Sequence, residues 1–267
     1  MNKIFMTTLA AAVLALCAPA PSGAQAADAA GIVGKMHQAF YYPGGSFRAR
    51  IKMTLEDAAG AGRQRELTML RLNMPKGGDQ RYFMYFHAPG DVRRMAFLVY
   101  KYAVKEDDRW LFIPALNLVQ RIAAKDSQSS FAGSDFTYED VSGRDVEADK
   151  HKLLREEERA GKPCYVIESS PTGPAAYKRK LSWIDKAAFL PLREEYYDAQ
   201  DQLFREFLSE EVREIDGIPT IMKRSVKNVK TGHRTLVEFS EAKYELSLKP
   251  ADFTERALRN PPAGWTK

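Results

Sequence analysis

The sequence predicts an α+β protein built on an unclosed antiparallel β-barrel of about eleven strands, with helices covering the concave face of the sheet. Three observations predict this fold. Short apolar stretches alternate with tight turns rich in glycine, proline and aspartate, at a spacing too short for crossover helices. Clear helical periodicity occurs near residues 28–41 and at the C-terminal end. Several strands are apolar on both faces, so that both faces of the sheet need a cover.

The first 26 residues have the three-part pattern of a secretory signal peptide. Lys3 provides a positive charge, an apolar run extends from Ile4 to Ala18, and small residues precede a cleavage point before Ala27. The run is shorter than the roughly 20 residues of a membrane-spanning helix, and no later stretch comes close. Cys17 leaves an alternative, an outer-membrane lipoprotein acylated at this cysteine, although Leu16 is larger than the residue that lipoprotein cleavage requires there. We expect a periplasmic protein without a transmembrane span in its mature form.

Residues 27–267 are expected to form a single domain, because they contain no internal repeat and no linker. The formal charge of the chain is +5, with basic and acidic residues interspersed, which is typical of a solvated surface. Export makes nucleic acid an unexpected partner. If Cys17 is removed with the signal peptide, Cys164 remains without a disulfide partner, so stability must come from the hydrophobic core.

The elements can be assigned in order along the chain. Helical spacing of Ile32, Met36 and Phe40 predicts a helix over 28–41. Ser134 or Asp135 could cap a short helix ending at Val141. A last short helix is predicted over 250–258, with proline in its first turn. The pattern leaves 151–160 open between a strand and a helix. The stretches predicted to be extended are 47–55, 65–74, 80–87, 94–104, 110–113, 118–122, 164–169, 179–185, 192–199, 203–208, 220–229, 235–241 and 244–246.

The two-sided apolar strands are the feature that bears on function. Both faces are apolar in 82–86 and in 95–100, and there are too few helices to coat both faces of the sheet densely. One hypothesis is an apolar cavity under a thin lid, which would suit acyl chains; the other is an ordinary packed core. The residues predicted to line the cavity are Leu67, Met69, Phe83, Tyr85, Met95, Phe97, Trp110, Phe112 and Trp183.

No pattern predicts catalysis, a cofactor or a metal site. The histidines at 37, 87, 151 and 233 lack metal-ligand spacing, and no phosphate loop or nucleophile elbow is present. His37 is interpreted as a surface or packing residue, and Cys164 as a buried one. The acidic group formed by Asp135, Glu139, Asp140 and Asp145 could bind a cation, but it lacks the spacing of a calcium loop. We interpret it as capping of a short helix.

Several segments resemble a known family. They are Arg109–Leu116, Gln120–Ile122, Ser130–Asp140, Leu192–Asp198 and Pro250–Leu258, of which the Gly-Ser-Asp-Phe-Thr-Tyr-Glu-Asp stretch is the most specific. Together they resemble the outer-membrane lipoprotein-sorting proteins of the LolA-like superfamily, over nearly the whole mature chain. The resemblance implies a half-barrel with a helical lid over an apolar cavity, and a periplasmic carrier of lipid-modified cargo. The long 123–160 region departs from the smaller lipoprotein carrier, so no lid residues are carried over from it.

The resemblance and the apolar strands together predict a non-enzymatic carrier. It would bind a lipid or the acyl chains of a lipoprotein and move it from an inner-membrane transporter, of the resistance-nodulation-division type in some relatives, to an outer-membrane acceptor. Two alternatives remain open. One is a periplasmic module that senses lipids or lipoproteins and signals to a protein partner; the other is a hydrolase of lipid or cell wall.

Overall fold

The computed structural model describes residues 29–75 and 78–266. The expected signal peptide, the start of the expected domain and the alternative of acylation at Cys17 lie outside these residues. Among the described residues, no helix is long and apolar enough to cross a membrane.

Thirteen strands form one antiparallel sheet. They are β1 Ser46–Glu56, β2 Gly62–Asn73, β3 Gln80–Ala88, β4 Ala96–Lys101, β5 Asp108–Ile113, β6 Leu118–Ile122, β7 Asp149–Arg159, β8 Lys162–Pro171, β9 Arg179–Asp185, β10 Pro191–Tyr197, β11 Leu203–Ile215, β12 Ile218–Asn228 and β13 Arg234–Tyr244. Their order across the sheet is β6-β5-β4-β3-β2-β1-β13-β12-β11-β10-β9-β8-β7. The sheet therefore consists of two meanders joined where β1 pairs with β13. The predicted unclosed antiparallel sheet with few helices is confirmed.

This topology explains how one face of the sheet is covered. β6 and β7 follow each other in the chain but lie at opposite edges of the sheet. The segment that joins them, residues 123–148, must therefore run from one edge to the other, and it does so across one face of the sheet, where its side chains join an apolar cluster. We call this segment the cover.

The strand count of about eleven was too low, and β7 is the main reason. Its exposed side chains are largely charged, and this charge kept 151–160 ambiguous between a strand and a helix. Its pairing with β8 over the whole of its length determines the conformation. At the other end of the chain, the stretches expected at 235–241 and 244–246 belong largely to one strand, β13, which contains Glu241 in the left-handed region at φ +50°.

In the described part of the chain, three α-helices accompany the sheet: α1 Ala29–Tyr41, α2 Tyr138–Ser142 and α3 Glu255–Arg259. Helix α1 buries Ile32, Val33 and Met36, as its apolar spacing predicts. Helix α2 begins after Thr137, whose hydroxyl accepts from the amide of Asp140 while the Asp140 carboxylate accepts from the amide of Thr137. The predicted cap at Ser134 or Asp135 was therefore wrong, because this reciprocal capping box places the helix start at Thr137.

The sheet has an inner face and an outer face, and each has its own core. The inner face carries a large apolar cluster that extends from β1–β4 to β11–β13 and includes side chains of the cover. The outer face of β2–β5 packs against the C-terminal segment, where Phe253, Leu258 and Trp265 contact it. This explains why the first strands are apolar on both sides.

Candidate functional site

The inner face of β1–β4 forms an apolar bed. The register places Ile51 opposite Leu67, Met69 opposite Met84, and Met84 opposite Phe97, so that these side chains share one face. All five are buried. Strand alternation produces this row, because residues two apart point to the same side of a sheet.

The cover fills this bed with aromatic side chains. The ring of Phe131 lies 6.0 Å from that of Phe86 and 5.2 Å from that of Phe97, and the ring of Tyr138 lies 5.3 Å from that of Phe97. Phe136 packs into the same cluster. The cover therefore occupies, with its own side chains, the position that a cargo would take.

The C-terminal end of α1 closes the remaining part of the inner face. The ring of Phe40 contacts that of Phe207 on β11 at 6.1 Å. Arg71 on β2 donates a hydrogen bond of 2.9 Å to the carbonyl of Tyr41 and another to the carbonyl of Pro43. Gly143 of the cover lies so close to Tyr41 that a β-carbon would come within 2.8 Å of its ring. Helix α1 and the cover thus meet over the centre of the sheet.

Three cavities between the sheet and these elements are small. One of about 60 Å³ lies among α1, the cover and β9–β11 and has a polar lining that includes His37, Lys180 and Glu194. A second of about 60 Å³ lies under the end of α1, and a third of about 30 Å³ lies under Phe131 and Phe136. A small-molecule pocket typically measures roughly 300–1,000 Å³. None of these three cavities has room for a whole acyl chain.

Polar contacts attach the cover to the sheet around the apolar bed. Asp140 forms an ion pair with Arg205 of β11. The amide of Asp135 donates to Thr235 at 2.9 Å, and the Thr235 hydroxyl donates to the Asp135 carboxylate at 2.7 Å. At the other side, the ammonium group of Lys101 lies 2.8 Å from the Asp145 carboxylate and is almost fully buried. Asp140 also lines the cavity under Phe131 and Phe136, so its contact lies beside the bed residues.

The acidic group singled out in the sequence is thereby explained. Asp135, Asp140 and Asp145 contact three different strands, and Glu139 pairs with Arg144 at 3.3 Å within the cover itself. Asp140 also caps α2, as the capping interpretation proposed. The four carboxylates serve the attachment and internal structure of the cover.

The polar cavity contains a further charged cluster that the sequence did not reveal. The ammonium group of Lys180 lies 2.8 Å from the Glu194 carboxylate, which also accepts hydrogen bonds from Ser182 and Tyr196. Burial and the neighbouring Glu194 carboxylate raise the pKa of Tyr196 well above its usual value. The residues come from adjacent strands at matching register, which a sequence without known pairing cannot display.

His37 and Cys164 take the packing roles proposed for them. His37 is buried between the rings of Tyr41 and Tyr42, at 5.2 Å and 5.4 Å, and burial together with the Lys101 charge lowers the pKa of His37 to about 4. Cys164 is fully buried on β8, and this burial raises the pKa of its thiol.

The nine residues predicted to line a cavity do not share one surface. Four of them belong to the inner-face core: Leu67, Met69, Met95 and Phe97. Five lie on the outer face: Phe83, Tyr85, Trp110 and Phe112 under or beside the C-terminal segment, and Trp183 in a separate cluster with Cys164. The sequence did not reveal the aromatic residues of the cover as inner-face residues, because Phe131 lies in a small polar loop and Tyr138 begins a helix of five residues, too short to show periodicity.

Comparison with known proteins identifies the family. A family model described as "Uncharacterized protein" matches residues 78–260. A DUF1329 family protein from Desulfovibrio piger is 28% identical, with 88% of this chain and 99% of that chain covered and a TM-score of 0.81. An outer membrane lipoprotein-sorting protein domain assigned in Vibrio parahaemolyticus is 27% identical, with the same coverage and the same TM-score of 0.81. The chain belongs to the family that this model describes.

A third solved structure supports the fold. A LolA superfamily protein from Nitrosomonas europaea is 20% identical, with 85% of this chain and 98% of that chain covered and a TM-score of 0.66. No curated protein matches the chain.

Proposed function

We propose that this protein is a periplasmic carrier that binds a lipid, or the acyl chains of a lipoprotein, on the inner face and moves it towards the outer membrane. The apolar inner face beneath an edge-to-edge cover is the observation that carries the proposal. The assignment of the related Vibrio domain to outer membrane lipoprotein sorting supports it. We propose that the chain has no enzymatic role in this process and needs no cofactor.

Binding would proceed by exchange of the cover for cargo. Each CH₂ group of the cargo that leaves water contributes about 0.8 kcal/mol to binding. Displacing Phe131, Phe136 and Tyr138 from the bed costs free energy, because the apolar surface of these side chains loses its buried contacts. The net affinity is then the difference between two apolar contacts. A small difference suits a carrier, because cargo must leave as readily as it enters.

The polar contacts of the cover suit this exchange. The ion pairs of Asp140 and Asp145 and the hydrogen bonds of Asp135 hold the cover to three different strands. The apolar part of the cover can lift as these separate contacts break one at a time. We propose that an inner-membrane transporter donates the cargo and that an outer-membrane component accepts it. A transporter of the resistance-nodulation-division type is one candidate for the donor.

A direct test uses the positions of the tryptophans. Trp110, Trp183 and Trp265 all lie in the outer-face clusters, so a fatty acid brominated on its chain should leave their fluorescence unquenched if it binds to the inner face. The Phe136→Trp variant places a fourth tryptophan in the cover. We expect delipidated protein to take up one brominated chain and to lose the fluorescence of this added tryptophan alone.

Two outcomes would contradict the proposal. Folded, delipidated protein that takes up no fatty acid or phospholipid is not a lipid carrier. Quenching of the native tryptophans with the added one unaffected would move the site to the outer face. Mass spectrometry of lipids that co-purify with the exported protein would identify the cargo class.

A further inference from the structure

Arg224 is an inner-face residue that forms no ion pair with a carboxylate among the described residues, and the charge of Asp140 acts on it only at longer range. It lies on β12 opposite Val237, and it lines both the cavity under the end of α1 and the cavity under Phe131 and Phe136. Within residues 29–75 and 78–266, its guanidinium forms no ion pair, and its buried Nε has no hydrogen-bond acceptor. Arg205, one strand away, has Asp140 as its partner.

Aromatic rings surround the Arg224 guanidinium. The ring centres of Phe40, Phe136 and Phe239 lie 5.3 Å, 5.5 Å and 5.0 Å from its central carbon. Such contacts stabilise a cation through the faces of the rings, but they supply no acceptor for the N–H groups at the edge of the guanidinium. Burial lowers the pKa of Arg224, yet a guanidinium remains charged in proteins. Arg224 as a whole is half-buried, and its Nε is withdrawn from water without an acceptor that compensates for the lost hydration.

The cavity under the end of α1 has the electrostatic character of an anion site. Two guanidinium groups, those of Arg71 and Arg224, line it, and none of its described lining residues is an aspartate or a glutamate. Arg71 is buried and uses two of its donors on the carbonyls of Tyr41 and Pro43, while its Nε has no acceptor. The volume of about 60 Å³ exceeds the roughly 10–15 Å³ that one water needs.

The apolar bed begins where this cavity ends. The adjoining cavity, which Arg224 also lines, is bounded by Ile51, Leu67 and Met84 of the bed. The one carboxylate there, that of Asp140, is already engaged by Arg205 and by the amide of Thr137. A molecule with an anionic end and an apolar chain therefore matches the two cavities, with its anionic end beside the arginines and its chain in the adjoining apolar cavity.

We propose that Arg224, with Arg71 beside it, anchors the anionic head group of an acylated ligand, a carboxylate or a phosphate, while the acyl chain replaces the aromatic residues of the cover. The planar fork of a guanidinium binds both oxyacids through two parallel hydrogen bonds. This inference rests on the proposed carrier function and adds the head-group charge as the property that selects the cargo.

The test compares ligands of equal chain length that differ in charge. Hexadecanoic acid and hexadecanol are titrated into delipidated protein at pH 8, followed by displacement of a fluorescent probe. We expect the acid to bind at least tenfold more tightly than the alcohol. In Arg224→Met this preference should fall to less than threefold, with binding of the alcohol unchanged or stronger. Arg224→Lys should retain part of the preference.

Lys223→Met is the matched control, because Lys223 lies on the same strand, carries the same charge and pairs with Glu238 on the outer face at 3.4 Å. It should keep the full preference for the acid. The same comparison between phosphatidic acid and diacylglycerol measures whether a phosphate is preferred to a carboxylate. Titration with inorganic phosphate alone measures whether the anion binds without an acyl chain.

The outcomes separate this inference from the carrier function. Equal binding of acid and alcohol by the unaltered protein would overturn the anchor and leave the carrier in place. Binding of neither would overturn both. A preference that survives in Arg224→Met, checked by circular dichroism for folding, would overturn the role of Arg224. Should Arg224→Met fail to fold, Arg224→Gln removes the charge and keeps a polar side chain, and the same comparison applies.

Discussion

Individual charged residues of the inner face fall into two groups. Arg205 and Lys180 have carboxylate partners in Asp140 and Glu194, whereas Arg224 is surrounded by rings. Breaking a buried pair leaves one uncompensated charge and destabilises the fold. Replacing an unpaired charge by an apolar side chain of similar volume leaves no such charge behind and removes a desolvation cost. The two groups therefore respond differently to the same substitution.

Substitution by methionine distinguishes the two groups. We expect Arg205→Met to lower the free energy of unfolding by about 3 kcal/mol, because it leaves Asp140 without its partner in a largely buried position. Arg224→Met should keep or raise this free energy. Urea unfolding at pH 7 measures both, and an equally large loss in Arg224→Met would indicate a partner for this guanidinium.

His37 makes the stability of the fold depend on pH. Its pKa is lowered to about 4 by burial, below the usual value near 6.5 of the unfolded chain. Between these values the unfolded chain binds a proton that the folded one does not, so stability is complete above pH 6.5 and falls as the pH decreases towards 4. The neighbouring charges are Lys101 and Lys180, which lower the pKa, and Asp145, which raises it.

We expect the His37 contribution to decrease by about 3 kcal/mol between pH 7 and pH 4. Urea unfolding at pH 7, 5.5 and 4 should therefore give a smaller pH dependence for His37→Phe than for the unaltered chain. Parallel pH profiles for the two proteins would contradict a proton-free His37 in the folded state.

At the scale of elements, the cover and the C-terminal segment have comparable positions on opposite faces of the sheet. Phe131 of the cover and Trp265 of the C-terminal segment are both buried against strand side chains, with Trp265 4.9 Å from Phe83 between ring centres. Only the cover connects the two edges of the sheet. Under the proposed carrier function, ligand exchange therefore involves the cover, and the C-terminal segment stays packed.

Truncating one aromatic residue in each element tests this assignment. We expect Phe131→Ala and Trp265→Ala each to lower the free energy of unfolding by about 3–5 kcal/mol, the usual loss for a buried aromatic residue. Phe131→Ala should also increase the affinity for a fatty acid several-fold, because less apolar contact must be displaced from the bed. Trp265→Ala should leave this affinity unchanged, and a gain in affinity for both would contradict the assignment.

At the scale of the whole molecule, an unclosed sheet leaves two edge strands, and charge protects one of them. β7 carries Lys150, Lys152 and Arg155 followed by three glutamates, most of them exposed. Charged edges disfavour pairing with another sheet. The same charges made β7 difficult to recognise as a strand.

Processing of the N-terminus is a prediction for the whole chain. We expect the exported protein to have an intact mass that corresponds to residues 27–267, because the first 26 residues have the pattern of a signal peptide. A mass that corresponds to a chain starting at Cys17 with attached acyl groups would support the lipoprotein alternative. Export of the Cys17→Ala variant with an unchanged mature mass would exclude a requirement for acylation.

The sequence alone determined the antiparallel sheet, the first helix and the family resemblance, because alternation, turn residues and helical spacing are local and survive without knowledge of the fold. It also identified which strands are apolar on both sides. Only the tertiary structure decided what covers each side: the C-terminal segment packs on Phe83 and Phe112, and the cover packs on Met84 and Phe97. The covering of each face depends on contacts between residues far apart in the chain. The lack of an ion pair at Arg224 depends on the same contacts, because it can be recognised only when the neighbours of the guanidinium are known.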